Sequence, residues 1–274
     1  MFEFAETISS SSSLSNLDSP QRRAVEWLAD DKINNNSNWS GYELLQRYVL
    51  RVLYLSTDGD NWSNSASTSW FGASSVCQWP QDELFCNGQQ VDYIDLYSDD
   101  LQGEIPEELG QLTALTGLRW HRNQLTGTIP THLGHLTALI DLRLYFNQLS
   151  GPIPSQLGQL TALTRMDLRD NELTGPIPSQ LGQLTALTEL NLSENQLIGT
   201  IPVAFTQLTN LSRLYLNNNI LTGQVPSGFC AAPFPDWRAD GSLGTNRFYT
   251  DCISEVQCDC CDRCYDESGS YFSQ

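Results

Sequence analysis

The sequence predicts an α/β repeat solenoid, in which short strands and helical turns alternate along the chain. Two observations carry this prediction. A 24-residue unit begins near Val91, and new copies begin at Leu115, Leu139, Leu163, Leu187 and Leu211. Most copies join an L-x-L alternation, typical of a short strand, to an L-G-x-L-T segment, typical of one helical or 3₁₀ turn. Since each unit packs on its neighbours, the inward leucines should form one continuous core.

The composition excludes several classes of partner. The chain has 32 acidic and 14 basic residues, for a net charge of −18. Nucleic acids and anionic membranes are therefore not expected partners, because binding to phosphate relies on clustered lysine and arginine. No apolar stretch approaches the ~20 residues that would span a bilayer, so no membrane span is predicted. The start, MFEFAETISSSSS, lacks the basic residues and apolar run of a secretory signal.

The segment before the repeats divides into a tail and a cap. Residues 1–18 are serine-rich and aperiodic, which predicts a flexible tail. Ser19 suits the N-cap of a helix that begins at Pro20, and the apolar spacing predicts a second helix from about Ser40 to Leu55. The predicted organisation is a tail over 1–18, a helical and disulfide cap over 19–90, repeats over 91–229 and a cysteine-rich cap over 230–274.

Aromatic residues between the second helix and the first repeat are predicted to close the end of the core. An open repeat stack exposes apolar surface at its ends, and a cap must cover it. The residues expected to form this plug are Trp62, Trp70, Phe71, Trp79 and Phe85. A structural role is favoured for them over a ligand-binding aromatic cluster.

The eight cysteines lie at the two ends of the array, and their even number predicts disulfides in an oxidising compartment. Cys77 and Cys86 are expected to close a short loop before the first strand. Cys230 and Cys252 are a candidate pair. The remaining cysteines are Cys258, Cys260, Cys261 and Cys264. Their C-x-C-C-x-x-C spacing also suits zinc, but disulfides are favoured because structural zinc sites use two separated pairs of ligands.

Five Asn-x-Ser sequons are candidate glycosylation sites, which is compatible with export. They lie at Asn35, Asn38, Asn61, Asn191 and Asn210. Together with the cysteines, they favour an extracellular or cell-surface location.

An asparagine in nearly every copy is predicted to pair with backbone groups that the bending chain leaves without partners in the core. These residues are Asn123, Asn147, Asn171, Asn195 and Asn219. A Gly-x-Ile-Pro segment follows, in which glycine permits a tight turn and proline restricts the backbone.

The L-x-G-x-I-P signature and the 24-residue period resemble plant-type leucine-rich repeats, from Val91 to about Phe229. The helical front, QRYVLRVLYLSTDGDNW, and a W…C…W…C segment are similar to the N-terminal cap of extracellular members. This front is particularly similar to that of predicted leucine-rich-repeat receptor-like proteins of algae such as diatoms. The C-terminal CDCCDRC cluster also fits that comparison. The resemblance implies a right-handed horseshoe with a parallel concave sheet, an α-helical N-terminal cap and a cysteine-rich C-terminal cap. It also implies a recognition role, as in receptor ectodomains, secreted inhibitors and adhesins.

The residues that flank the strand leucines are expected to point outward on the concave sheet, in columns about 5 Å apart. Arginines and aromatic residues, which are enriched at binding hot spots, concentrate there. The predicted binding residues are Tyr97, Arg119, His121, Arg122, Arg143, Tyr145, Phe146 and Arg169. Asp141, Asp167 and Asp170 supply the alternative of a solvated face that neutralises its own charge.

No catalytic motif is found, and His132 and His135 are expected to be a solvated pair on the convex side. The chain is therefore predicted to be a non-enzymatic module, without cofactor or metal, that binds a protein, peptide or glycan. The alternative is a structural or adhesion component of a cell wall or matrix that self-associates.

Overall fold

The computed structural model describes residues 1–35, 39, 41–63, 70–72, 75–79, 83–226 and 228, and the backbone of four short strands further on. Its α-helices are Phe2–Ala5 (α1), Ser11–Ser15 (α2), Pro20–Asn35 (α3) and Gly41–Ser56 (α4). Its strands up to the fourth copy are Leu84–Asn87 (β1), Gln90–Asp95 (β2), Gln102–Glu104 (β3), Gly117–Arg119 (β4), Gln124–Thr126 (β5), Asp141–Arg143 (β6), Ser150–Pro152 (β7), Arg165–Asp167 (β8) and Glu172–Pro176 (β9). The later strands are Glu189–Asn191 (β10), Gln196–Gly199 (β11), Arg213–Tyr215 (β12), Ile220–Leu221 (β13), Gly223–Gln224 (β14), Arg247–Tyr249 (β15), Val256–Gln257 (β16), Cys264–Tyr265 (β17) and Tyr271–Phe272 (β18).

One sheet runs through all the repeats, in the order β1-β2-β4-β6-β8-β10-β12-β15. Strand β1 is antiparallel to β2, and the neighbouring strands from β2 onward are parallel. The L-x-L leucines, such as Leu142 and Leu144, are fully buried beneath this sheet. The opposite side of each coil carries a 3₁₀ turn, and these turns span Glu107–Gln111, Thr131–His135, Ser155–Gln159, Ser179–Gln183 and Val203–Gln207. The strand and turn assignments made from the repeat are confirmed.

The asparagine ladder is also confirmed. The Asn147 side chain donates to the carbonyls of Trp120 and Leu144, both at 3.0 Å, and accepts from the Leu125 N–H at 3.0 Å. The same arrangement recurs at Asn171 and at the other ladder positions. Each amide thus pairs with backbone groups of two successive coils, which fixes the register between them.

The glycine of each Gly-x-Ile-Pro segment has a left-handed backbone, as the tight turn requires. Gly127 has φ 72° and Gly175 has φ 76°. Glycine adopts this region without the steric cost that a Cβ imposes. The turn directs the chain from the concave sheet to the outer 3₁₀ turns.

The cap packs on the first repeat through helix α4. Arg47 is fully buried, and its guanidinium pairs with Asp31 Oδ2 at 3.2 Å and with Glu43 Oε1 at 2.9 Å. Gln46 accepts a hydrogen bond from the Val91 N–H at 2.6 Å, so the helix is tied directly to β2. A buried charge needs such partners because its desolvation is otherwise costly. Helix α3 begins as predicted, with Ser19 Oγ accepting from the Arg22 N–H at 3.0 Å.

The aromatic plug forms with one exception. Trp62, Trp70 and Trp79 are buried, and Phe71 packs against the same core. Phe85 is 43% exposed and lies edge-to-face with Tyr93, so its assignment to the plug is wrong. Phe85 lies on β1, where side chains alternate between the two faces, and the buried position falls on Leu84 before it.

The Cys77–Cys86 disulfide is confirmed, with a Cα–Cα distance of 5.7 Å. The predictions for Cys230, Cys252, Cys258, Cys260 and Cys261 lie outside the described residues, as does the side chain of Cys264.

Residues 1–18 differ from the predicted flexible tail. They include helices α1 and α2, and they bury Ala5 and Leu14 against the cap. Ser9 Oγ lies 2.7 Å from the Tyr48 hydroxyl and donates to Glu108 Oε1 at 2.6 Å. The buried Glu108 carboxylate needs a donor, and Ser9 supplies one from about a hundred residues away. Composition alone does not reveal such a partner.

Candidate functional site

The concave face places the outward side chains of successive strands in register. Asp95 lies beside Arg119, Arg119 beside Arg143, and Arg143 beside Asp167. This register confirms the column predicted from the repeat. Neighbouring strands of a sheet are about 4.8 Å apart, so unlike charges attract and like charges repel directly along the column.

A single carboxylate bridges the two neighbouring arginines. Asp141 accepts hydrogen bonds from Arg119 Nε at 3.0 Å and from Arg143 Nε at 2.9 Å. Arg119 also lies 3.7 Å from Asp95 through Nη1 and Oδ2. These two guanidinium groups are therefore largely engaged within the sheet.

A second column forms a continuous stack of planar groups. The ring centroids of Tyr97 and His121 are 5.2 Å apart, and those of His121 and Tyr145 are 4.3 Å apart. The Arg169 guanidinium lies 4.5 Å from the Tyr145 centroid. His121 is only 9% exposed, and its burial, followed by the charge of Arg143, lowers its pKa to about 4. The imidazole is therefore neutral near pH 7 and belongs to the stack more than to the free surface.

Three predicted residues remain open to a ligand. Tyr97 is 56% exposed and Phe146 is 39% exposed, and Arg122 is also exposed. The Arg122 guanidinium lies 5.6 Å from the Phe146 ring centroid. Among the described residues, the ion pairs on this face involve the other arginines and not Arg122. We call Tyr97, Arg122 and Phe146 the exposed concave cluster.

Two members of this cluster have a strained backbone. Arg122 has φ 60° and Phe146 has φ 56°, and the equivalent Glu194 and Asn218 have φ 55° and 56°. This left-handed conformation costs a non-glycine residue about 1–2 kcal/mol of conformational free energy, although asparagine tolerates it. Sequence reasoning missed this feature. The available signal was that Asp170 and Asn218, both turn-forming types, occupy the same column.

Comparisons with known proteins agree with this geometry. Residues 162–221 and 138–160 match two family models, each described as a leucine rich repeat. Among solved structures, Pollen Receptor Kinase 3 is 31% identical, and the match covers 68% of this chain and 86% of that one, with a TM-score of 0.58. The chain belongs to the plant-type leucine-rich-repeat family.

Two other structures similar to this leucine-rich-repeat protein differ in length and in ligand. The plant peptide hormone receptor RGFR1, solved with RGF2, is 34% identical, and the match covers 64% of this chain and 28% of the receptor, with a TM-score of 0.53. A plant ice-binding protein is 30% identical, with coverage of 81% and 66% and a TM-score of 0.64. The chain thus spans less than a third of the hormone receptor. A search of curated proteins finds no match.

The sequons differ in their access to solvent. Asn191 is 4% exposed, and its Oδ1 accepts from the Ser193 N–H at 3.1 Å and from the Ser193 hydroxyl at 2.7 Å. Its side chain therefore has little access to solvent in the folded protein, and its assignment as a glycosylation candidate stays a prediction. Asn61 and Asn210 are exposed. The side chain of Asn35 and all of Asn38 lie outside the described residues.

On the convex side, His132 and His135 lie in one 3₁₀ turn with ring centroids 5.5 Å apart. His132 Nδ1 lies 3.4 Å from Glu107 Oε2. Within the described ranges, no three potential metal ligands come together, and no helix is long and apolar enough to cross a bilayer.

Proposed function

We propose that this leucine-rich-repeat protein is a non-enzymatic recognition module that binds a peptide or a protein segment across the first four repeats of its concave face. The exposed concave cluster is the observation that carries this proposal. It combines a cation that has no ion pair among the described residues with two aromatic rings on the concave side, and these are the side-chain types that dominate binding hot spots. A peptide with a carboxylate next to an apolar side chain is complementary to Arg122 and Phe146, which favours a peptide over a neutral glycan.

The similar structures support a peptide ligand. RGFR1 was solved with RGF2, and the ectodomain of the receptor kinase GASSHO1/SCHENGEN3 from Arabidopsis thaliana was solved with CASPARIAN STRIP INTEGRITY FACTOR 2. The Cys77–Cys86 disulfide supports an extracellular or cell-surface location, because disulfides persist in oxidising compartments.

The structure suggests a variant that should weaken binding and leave the fold intact. Asn218 occupies the column of Arg122 and Phe146 with the same left-handed backbone. The double variant Arg122→Asn/Phe146→Asn therefore removes the cation and one ring while it relieves backbone strain. Glu194→Asn is the matched control, since Glu194 is exposed in the same column two repeats beyond Phe146.

The experiment is selection of a displayed library of linear peptides on the wild-type protein, followed by titration of the enriched peptides. Cation–π and aromatic contacts contribute about 1–2 kcal/mol each, so the double variant should weaken binding at least about tenfold. Glu194→Asn should bind like the wild type. The proposal fails if no peptide is enriched, or if the enriched peptides bind the double variant with unchanged affinity.

We propose ice binding as a second candidate function. Residues 125–140, 149–164, 173–188 and 197–212 contain no Asp, Glu, Lys or Arg, although the chain carries 32 acidic and 14 basic residues. The similarity to a plant ice-binding protein over 81% of this chain supports the same function. Thermal hysteresis and inhibition of ice recrystallisation by the wild-type protein test it, and the absence of both rejects it.

A further inference from the structure

Two parallel columns of hydroxyl groups lie at the edge of the repeats where each 3₁₀ turn leads into the next concave strand. In the first column the residues are all exposed, and they are Thr113, Thr137, Thr161, Thr185 and Thr209. The second column, three residues further along each coil, contains Thr116, Thr164, Thr188 and Ser212. We call these two columns the threonine face. It lies mainly within the uncharged segments, and the first copy, which contains Glu104, Glu107 and Glu108, marks its charged border.

The second column has fixed hydroxyl orientations. Thr164 Oγ1 donates to the Ile140 carbonyl at 3.1 Å, and Thr188 Oγ1 donates to the Thr164 carbonyl at 2.9 Å. Ser212 Oγ donates to the Thr188 carbonyl at 2.9 Å. Each bond joins a coil to the coil before it, so the donor is used internally. The lone pairs of these oxygens remain for an external donor.

Close contact between coils makes this face regular. A Cβ on Gly134 would lie 2.6 Å from the Gln156 carbonyl oxygen, and one on Gly158 would lie 2.4 Å from that of Gln180. The 3₁₀ turns therefore pack so closely that no side chain fits at these two positions. Thr161 and Thr185 follow identical turns, each with its N–H bonded at 2.9 Å to the carbonyl two residues earlier. In the second column, the Thr188 N–H bonds to the Thr164 carbonyl at 2.8 Å and both residues lead directly into paired strands, so their side chains repeat at about the strand spacing of 4.8 Å.

This surface is poorly suited to the usual macromolecular partners. The two columns contain neither the aromatic and arginine anchors of protein hot spots nor the cations that nucleic acids require. A neutral array with a uniform repeat is instead complementary to a regular lattice such as that of ice. Charged groups would hold their own hydration shells and disturb such a lattice. Threonine offers a hydroxyl to the ordered water and a methyl that favours removal from bulk water.

We infer that the threonine face is an ice-binding site, an assignment that rests on the second function proposed above. Contact would involve the edge of the repeats that precedes the concave strands and leave free the exposed concave cluster, whose residues follow those strands. Ile140, which replaces a hydroxyl residue in the second column, is 44% exposed and adds an apolar group to that column. The centre of the site lies at Thr161 and Thr185.

The test compares two charge-matched double variants of the full chain. Thr161→Lys/Thr185→Lys places two ammonium groups at the centre of the threonine face. Gln148→Lys/Gln196→Lys adds the same charge at exposed positions outside it. Thermal hysteresis and ice recrystallisation are measured for both variants and for the wild type, and far-UV circular dichroism melts check the fold.

The expected result is loss of ice activity in the threonine variant, with activity retained in the glutamine variant and similar melting temperatures for both. If the wild type is active and the threonine variant keeps that activity, the site assignment is wrong while the ice-binding function stands. If the wild type is inactive, both the function and the site are rejected. Adsorption of the wild type to microcrystalline cellulose without any ice activity would point to a neutral polysaccharide instead and would also overturn the inference.

Discussion

The carboxyl group of Asp167 offers the sharpest test of the electrostatics of the concave face. The residue is 6% exposed, and its burial raises the pKa of the carboxyl to about 6 despite the nearby Arg169 guanidinium. Asp167 Oδ1 accepts from the Arg169 N–H at 3.3 Å. In the next repeat, Asn191 pairs with Asp167 across the sheet and makes the equivalent bond to Ser193. The variant Asp167→Asn should therefore fit the site without rearrangement.

The magnitude follows from the pKa shift. The ordinary value is 3.8 and the folded value is about 6, and each pKa unit corresponds to 1.36 kcal/mol, which gives about 3 kcal/mol. Because the folded state holds the proton more tightly, this contribution to stability is fully present below pH 3.8. It is lost as the pH rises through about 6 and stays lost above that. The ionised carboxylate thus destabilises the protein at neutral pH.

The assay is urea unfolding of the wild type and Asp167→Asn at several pH values between 4 and 8. The titration of His121 must be separated from this effect, because the pKa of that imidazole is lowered to about 4. The stability that His121 contributes is lost in the opposite direction, as the pH falls below 6.5. The difference between variant and wild type cancels the His121 contribution. It should grow by up to about 3 kcal/mol, in favour of the variant, between pH 4 and pH 7. Asp100→Asn, at an exposed position, is the control. A difference that stays constant with pH would refute the reasoning.

Three further predictions concern stability. Asn147→Ala should lower the unfolding free energy by about 3–5 kcal/mol, because three buried backbone groups lose their partner. Chemical denaturation measures this loss, with Gln148→Ala as the control, and equal unfolding free energies for the two variants would contradict the prediction. Replacing Cys77 and Cys86 with serine should cost about 2–3 kcal/mol, from the entropy of the short loop; a thermal melt unchanged by the replacement would refute the estimate. Phe146→Asn should raise the unfolding free energy by about 1 kcal/mol through relief of the left-handed backbone, and destabilisation in the same assay would count against strain at this position.

The sequence allowed the repeat architecture to be predicted in detail. The period of 24 residues equals one coil, so L-x-L, the asparagine and Gly-x-Ile-Pro each mark the same place in every turn. The identity of the outward columns followed from the same period. The contacts within the core therefore follow the repeat, since each inward residue packs against the equivalent residues one period before and after it.

The state of the binding face could not be predicted in the same way. Arg119, Arg143 and His121 are at the expected positions, but Asp141 engages both arginines and the flanking tyrosines cover the histidine. Rotamer choice and burial decide these contacts, and neither is encoded in the spacing. Of the predicted binding residues, those that we now expect to contact a ligand are the three of the exposed concave cluster. Substitutions at Arg143 or Tyr145 would break the ion pair with Asp141 or the stack, so they test the fold as well as binding.

The sequence by itself determined the coil, its inward leucines and the order of the outward columns, because a strict repeat replicates every local choice. Only the tertiary structure decided which polar groups are paired, which are buried and which face solvent. Ser9 and Glu108 meet across about a hundred residues, and Asp167 is buried by neighbours on adjacent coils. Such contacts depend on which residues lie close together in space, and the 24-residue period does not provide that information.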